Sequence, residues 1–358
     1  MKQKALWINQ IKGLCICLVV IYHSVITFYP HLIGLQHPLS GLLAKCWVYF
    51  NLYLAPFRMP VFFFISGYLI RRYIDEVDWR TSLDKRIWSI VWVLALWGVL
   101  QWQALTHLNA WLAPERELAT SSNAAYADSF SGFVLGMVTA STSLWYLYAL
   151  VVYFTLCKLL SRWKLPVLAL LALASIAINF LPLPWWGMNS VVRNMIYYSL
   201  GAWYGAELMA WMKNVNLRRI WLPTGAFAAV SVVLWFANVP LLLSLLSIVL
   251  IMKLFYSLEQ RYAVHPNNLL NVIGSNTIAI YTTHRILIIE AFSLFLIGEM
   301  NAAYWPVWAE LTLVLVYPFA SLLICTLAGL GVRKISTALF GDVFFSPPST
   351  LTLSPSTR

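Results

Sequence analysis

The chain has 358 residues, of which 61% are hydrophobic and only 10% charged, and its formal net charge is +11. A soluble domain carries about a quarter charged residues, so this composition excludes a water-soluble domain of any size. It also excludes nucleic-acid binding as the source of the positive charge, because Lys and Arg stand at the ends of apolar runs rather than in one patch.

A spanning helix needs ~20 apolar residues, and the pattern predicts an all-α, polytopic transmembrane helical bundle of roughly ten spans. In chain order the candidate spans are 5–28, 46–70, 87–106, 143–160, 166–182, 191–211, 220–238, 241–257, 270–296 and 307–331. The first is read as retained rather than as a cleaved signal, since Asn9, Gln10 and Lys12 interrupt it and no small-residue cleavage site follows. Within it Lys12 and His23 are eleven residues apart, about 16 Å along a helix and on one face. The second span reads FRMPVFFFISGYLIRR over 57–72, with Arg58 near mid-membrane and Ser66-Gly67 at a depth similar to Lys12. Taken alone, Lys12 also reads as a snorkelling lysine, His23 as an interhelical hydrogen-bonding residue and Ser66-Gly67 as a packing notch.

The longest outer loop is 107–129, and 130–142 is too short to span and reads as re-entrant or interfacial. Spans seven and eight are separated only by a tight turn at Asn238 and Pro240. The ninth contains IGSNTIAIYTTHRIL over 273–287, which sets His284 and Arg285 at about the depth of His23. Residues 1–335 form one integral membrane domain, and the Ser/Pro/Thr-rich stretch 336–358 reads as a disordered cytoplasmic tail. With the N-terminus inside, 19 of the 24 Lys and Arg residues fall on the cytoplasmic side and only Lys45 and Arg116 on outer loops. Arg58, Arg193 and Arg285 fall within spans. This asymmetry predicts an N-in, C-in multi-pass membrane protein with an even number of spans. The five cysteines show no metal or disulfide spacing, and no metal site is expected.

Ionisable residues inside spans are costly and are candidate functional groups by default. Four motifs make the pattern specific: Lys12-x10-His23, PVFFFISGYL at 60–69, SLWYLYAL at 143–150 and IGSNTIAIYTTH at 273–284. In this order the set resembles the acyltransferase-3 family of bacterial membrane acyltransferases. The likeness is greatest to its short, roughly ten-span members, including sugar O-acetyltransferases and the glucan succinyltransferase, and more narrowly to its enterobacterial inner-membrane members. On this resemblance Lys12 fills the family's basic position, where arginine is more usual, and Asn9 stands where the family often has an acidic residue. Phe62, Phe63, Phe64, Ser66 and Gly67 match its Ser-Gly motif, and Tyr281 and His284 its Tyr-x-x-His.

The resemblance implies an acyl-CoA-dependent O-acyltransferase with no bound cofactor, using acetyl-CoA or succinyl-CoA as donor. The acceptor is expected to be a hydroxyl of an envelope or exported carbohydrate or a lipid-linked sugar. Lys12, Ser66 and Gly67 are assigned to the donor side, and His23, His284, Arg58 and Arg285 to catalysis. A cation at the inner boundary suits the phosphates of CoA, a neutral histidine suits the general base, and arginine suits a developing oxyanion. Two other classes stand beside this one: a secondary transporter using Lys12, Arg58, Arg193 and Arg285 for an anion, and a non-enzymatic subunit of an envelope-assembly complex. The transporter class predicts internal repeats, and none is visible.

Overall fold

A computed structural model describes residues 6–31, 35, 37–112, 114, 123–216, 219–262, 264–293, 297, 301 and 304–351. Among them there are helices and no strand. Buried backbone groups in a bilayer must be paired within their own segment, and helices do this from the sequence up. The elements are α1 (Leu6–Phe28), α2 (Pro38–Tyr53), α3 (Ala55–Asp75), α4 (Trp79–Ser82), a π-helical segment Leu83–Trp88 and α5 (Ser89–Leu112). They continue with α6 (Phe130–Val138), α7 (Trp145–Leu159), α8 (Lys164–Ala177), α9 (Trp186–Asn214), α10 (Trp221–Phe236) and α11 (Leu241–Arg261). Last come α12 (Leu269–Ser275), α13 (Thr277–Thr283), a second π-helical segment His284–Glu290 and a C-terminal helix Val307–Phe340.

By length and apolarity four helical stretches can each cross a membrane: α1, Trp79–Leu112, α11 and Val307–Phe340. Two bent pairs, α2 with α3 and Trp145–Leu159 with Ser161–Ala177, meet the same test jointly.

Three elements differ from the sequence reading. The stretch 46–70 is not one helix but the end of α2 and most of α3, which meet at a 41° bend. The cause is Pro56 in the first turn of α3: it has no N–H to continue the hydrogen bonding of α2. The stretch 270–296 is broken at Asn276, where the Ser275 hydroxyl and the Asn276 amide donate to the carbonyls of Asn271 and Val272. Such side-chain bonds compete with the helical ladder. The third difference is the expected tail. The last helix runs on to Phe340, and the carbonyls of Val343, Phe344 and Leu351 accept indole N–H bonds from Trp92, Trp97 and Trp88 at 2.7, 2.8 and 2.9 Å. Phe344 and Phe345 also pack their rings on Trp97, so three aromatic partners outweigh the Ser/Pro/Thr composition. Residues 352–358 and Arg116 lie outside the described residues.

The turn expected between spans seven and eight is present, with Asn238 at φ 65°, a left-handed conformation that asparagine tolerates. Residues 130–138 form a short helix, too short to span.

Two glycine contacts lock the bundle where backbones touch. A Cβ on Gly67 of α3 would collide with the Tyr198 carbonyl of α9, and one on Gly201 of α9 with the Phe64 carbonyl of α3. Gly13 of α1 and Gly274 of α12 are likewise opposed to the carbonyls of Leu270 and Asn9. Small residues that let helix backbones meet are the main packing device inside a bilayer.

The Lys/Arg asymmetry gives a direct expectation for orientation. Reporter fusions after residues 120 and 300 should read as outside, and those after 80, 215 and 340 as inside. An outside signal at residue 80 would overturn the topology from the second span onward.

Candidate functional site

A cavity of about 540 Å³ lies where α1, α3, α7, α9, α10, α11, α13 and the segment His284–Glu290 approach one another. Its walls come from the late residues of α1 (Tyr22, His23), the first residues of α3, α9 and α11, and the turns at Asn179 and Asn238. The Lys/Arg asymmetry predicts that these are the outward ends of their helices.

Two elements set the histidines side by side. His23 projects from α1, and His284 opens the second π-helical segment. Their ring centroids are 5.2 Å apart. His284 is fully enclosed, and His23 is only 9% exposed and lines the cavity. His284 Nδ1 is 2.7 Å from the Tyr281 carbonyl oxygen; a carbonyl can only accept, so Nδ1 carries the proton. Nε2 is then left as an acceptor and has no partner. Neither has His23 Nδ1. Unsatisfied polar nitrogens are rare in a native interior, and two beside a cavity mark a place for a ligand's polar atoms.

Arg58 enters from the first turn of α3. Its guanidinium lies 4.1 Å over the Tyr22 ring and donates to the Asn51 carbonyl at 2.7 Å. Arg285 lines the same cavity and its Nε has no partner. Arg193, from α9, is also on the wall, and its Nε donates to Asn179 Oδ1 at 2.8 Å. Among the described residues none of the three makes an ion pair with a carboxylate, and no Asp or Glu lines the cavity. No described carboxylate is hydrogen-bonded to His23 or His284 either; Glu310 accepts from the His37 backbone amide.

The turn before His284 is held by a buried polar set that the sequence reading did not single out. Gln101 of α5 donates to the Thr282 carbonyl at 2.8 Å and accepts from the Ser143 hydroxyl at 2.6 Å. The Tyr281 hydroxyl donates to the Ser143 carbonyl at 2.8 Å and accepts from the Tyr146 amide at 3.2 Å. Ser66 Oγ is 2.7 Å from the Tyr146 hydroxyl and donates to the Phe62 carbonyl. Phe62 stacks on Tyr146 with centroids 4.7 Å apart. The serine of the Ser-Gly motif is thus connected through two tyrosines to the helix that carries His284.

Of the seven residues singled out from the sequence, the structure gathers His23, His284, Arg58 and Arg285 at one place. Ser66 stands behind it, and Gly67 is occupied by the α3–α9 contact; neither lines the cavity. Lys12 is half-buried on α1, one residue before the Gly13 contact with α12, and is separate from the cavity. Tyr22, Asn51, Gln101 and Tyr146 were missed. Gln101 and Asn51 were visible as polar residues in apolar runs, and Tyr146 lies within the quoted SLWYLYAL motif.

Comparison with known proteins gives a family match over residues 5–330, to the family described as an acyltransferase domain. The chain is also 68% identical over 349 residues to the inner membrane protein YcfT of Escherichia coli (strain K12), covering 98% of each chain. No solved structure matches.

Proposed function

Because the chain belongs to the acyltransferase-3 family, and so is a membrane acyltransferase, we propose that it moves an acetyl or succinyl group from cytoplasmic acyl-CoA to a hydroxyl of an envelope carbohydrate. An inner-membrane location, as in the name of its Escherichia coli relative, agrees with its apolar helices. The observation that carries the reading is the pair of unpartnered imidazole nitrogens, 5.2 Å between ring centroids, beside a cavity that no described Asp or Glu lines.

In this mechanism a neutral His23 takes the proton of the acceptor hydroxyl as its oxygen attacks the thioester carbon. The new C–O bond forms, negative charge gathers on the former carbonyl oxygen, and Arg285 stabilises it. The C–S bond then breaks, and the CoA thiolate leaves with the proton that the His23 imidazolium gives back. His284 supplies the second imidazole beside His23, its orientation fixed by the Tyr281 carbonyl. Lys12, about 16 Å below His23 along α1, pairs with the phosphates of the donor, and the pantetheine arm covers the interval.

Glycan mass spectrometry of envelopes with and without the gene tests the reading. A loss of one acetyl or succinyl unit on deletion supports it, and an unchanged glycan profile together with no labelled acyl transfer from purified protein would sink it. The anion-transporter reading explains the arginines but leaves the histidine pair without a task; uptake of a labelled anion by proteoliposomes free of acyl-CoA would favour it.

The donor role of Lys12 has its own test. A lost charge-assisted hydrogen bond is worth roughly 1.5–3 kcal/mol, so Lys12→Gln should weaken acyl-CoA binding about 10- to 150-fold. Lys12→Arg should be largely tolerated, since a cation suffices. The measurement is the acyl-CoA concentration dependence in inside-out vesicles, which expose the cytoplasmic face. Equal apparent affinity for wild type and Lys12→Gln would leave Lys12 as a topological anchor.

A further inference from the structure

The cavity carries more positive charge than a thioester carbonyl requires. One guanidinium suffices for a developing oxyanion, and Arg285, adjacent in sequence to His284, meets that need. Arg58 and Arg193 remain. Both line the cavity, and neither is neutralised by a carboxylate among the described residues. Arg193 belongs to α9, which packs mainly on α3 and α8, so it comes from a different part of the wall than the histidine pair between α1 and the segment His284–Glu290.

Two helix N-termini add to this charge. Trp186 at the start of α9 and Pro240 before α11 both line the cavity. These helices have 29 and 21 residues, and neither has a side-chain cap at that end. Each N-terminus carries about half a positive charge and unpaired N–H groups directed outward from the helix end. Independently of the helix ends, His23 is nine-tenths buried on the same wall with Nδ1 unpartnered. Uncompensated intramembrane cations mark binding sites for opposite charge. Discontinuous helices whose N-termini meet near mid-membrane serve anionic substrate groups elsewhere. The wall also holds Trp145, Trp186 and Trp235, flat apolar faces of the kind on which a sugar ring can lie.

From this arrangement we infer that the acceptor is an acidic saccharide, a sugar bearing a phosphate or carboxylate, whose anionic group is held by Arg58 and Arg193 while its hydroxyl faces His23. The inference rests on the acyl-transfer reading for the identity of the cavity as the acceptor site, but its binding component can be measured without any acyl donor.

The experiment is equilibrium binding of labelled glucose 1-phosphate to the purified full-length protein in detergent, with glucose, glucuronate, inorganic phosphate and adenosine 3′,5′-bisphosphate as competitors. Competition by glucuronate, little by glucose and a weaker effect of inorganic phosphate are expected. Arg193→Gln should weaken glucose 1-phosphate binding about 10- to 150-fold, the range for a lost charge-assisted bond. Arg193→Lys, which keeps the charge, should lose less and shows that the loss is not one of folding. Glucose competing as well as glucose 1-phosphate would overturn the inference. Equal displacement by inorganic phosphate would reduce the site to an anion site and also overturn it. Displacement by adenosine 3′,5′-bisphosphate at least as strong as by glucuronate would assign the arginines to the donor and overturn it as well. Acyl transfer from labelled acyl-CoA is measured on the same preparations. Transfer to neutral glucan without binding of acidic sugars refutes the inference and leaves the acyltransferase chemistry standing; saturable acidic-sugar binding without transfer supports an acidic-sugar site in the cavity, but overturns its role as acceptor site together with the proposed reaction.

Discussion

Replacing His23 by alanine is expected to lower acyl transfer about 10²–10⁴-fold, the usual cost of a missing general base, while the protein still accumulates in the membrane. The second half of this expectation follows from the hydrogen bonding. His23 Nδ1 has no partner, so removing the ring leaves no protein group unsatisfied at that atom. His284 is different. Its Nδ1–H is bonded to the Tyr281 carbonyl, and its loss would leave a buried acceptor short of a donor. His284→Ala should therefore lose both activity and thermal stability, whereas His23→Ala should lose activity alone. Transfer of labelled acetyl or succinyl groups, measured beside the melting temperature in detergent, separates the two. If His23→Ala kept more than about half the wild-type rate, the base would have to be His284.

Arg285→Gln should be the next most damaging change. Its Nε has no partner and no described Asp or Glu lines the cavity, so this N–H can donate to a substrate oxygen. Losing one donor to an oxyanion costs about 10²–10³ in kcat. An interaction made only in the transition state lowers kcat and kcat/KM equally. The expected signature is thus a fall in kcat with an unchanged KM for acyl-CoA. A rise in KM with kcat preserved would show that Arg285 binds a ground-state group and would remove it from the chemistry.

The class of fold could be read from the sequence because bilayer physics acts on composition and on charge placement, both of which are local. The meeting of His23, Arg58, His284 and Arg285 could be anticipated for the same reason, since counting along each span brings residues of one level together. What counting could not supply was azimuth. Counting puts Gly67 level with Lys12, yet Gly67 faces the α9 backbone, and only the packing of α3 on α9 decides that. The bend before Pro56 and the break at Asn276 were hidden because hydropathy averages over a window, while a helix is interrupted by single residues. The described part of the tail, 336–351, departs from its composition on the same ground. Its Ser, Pro and Thr content suggested disorder, but the fate of residues 341–351 depends on Phe344, Phe345 and three tryptophans about 250 residues earlier in the chain. Gln101 shows the opposite limit, since one glutamine in an apolar run is visible at once and its two partners are not.

The second π-helical segment has a consequence for how the length of this chain can vary. A π-turn fits one more residue than an α-turn into nearly the same rise, and such bulges gather at functional sites. Residues 284–290 therefore hold slack that the rest of the span lacks. Deleting one residue there, for instance Ile288, lets the segment relax to an ordinary α-helix with the flanking turns still in phase. A deletion one turn earlier, within α13, would rotate His284 and Arg285 by about 100° away from the cavity. The chain can thus shorten by one residue beside its reacting groups and keep them aimed, and that same slack is a place where related sequences can differ in length without losing the site.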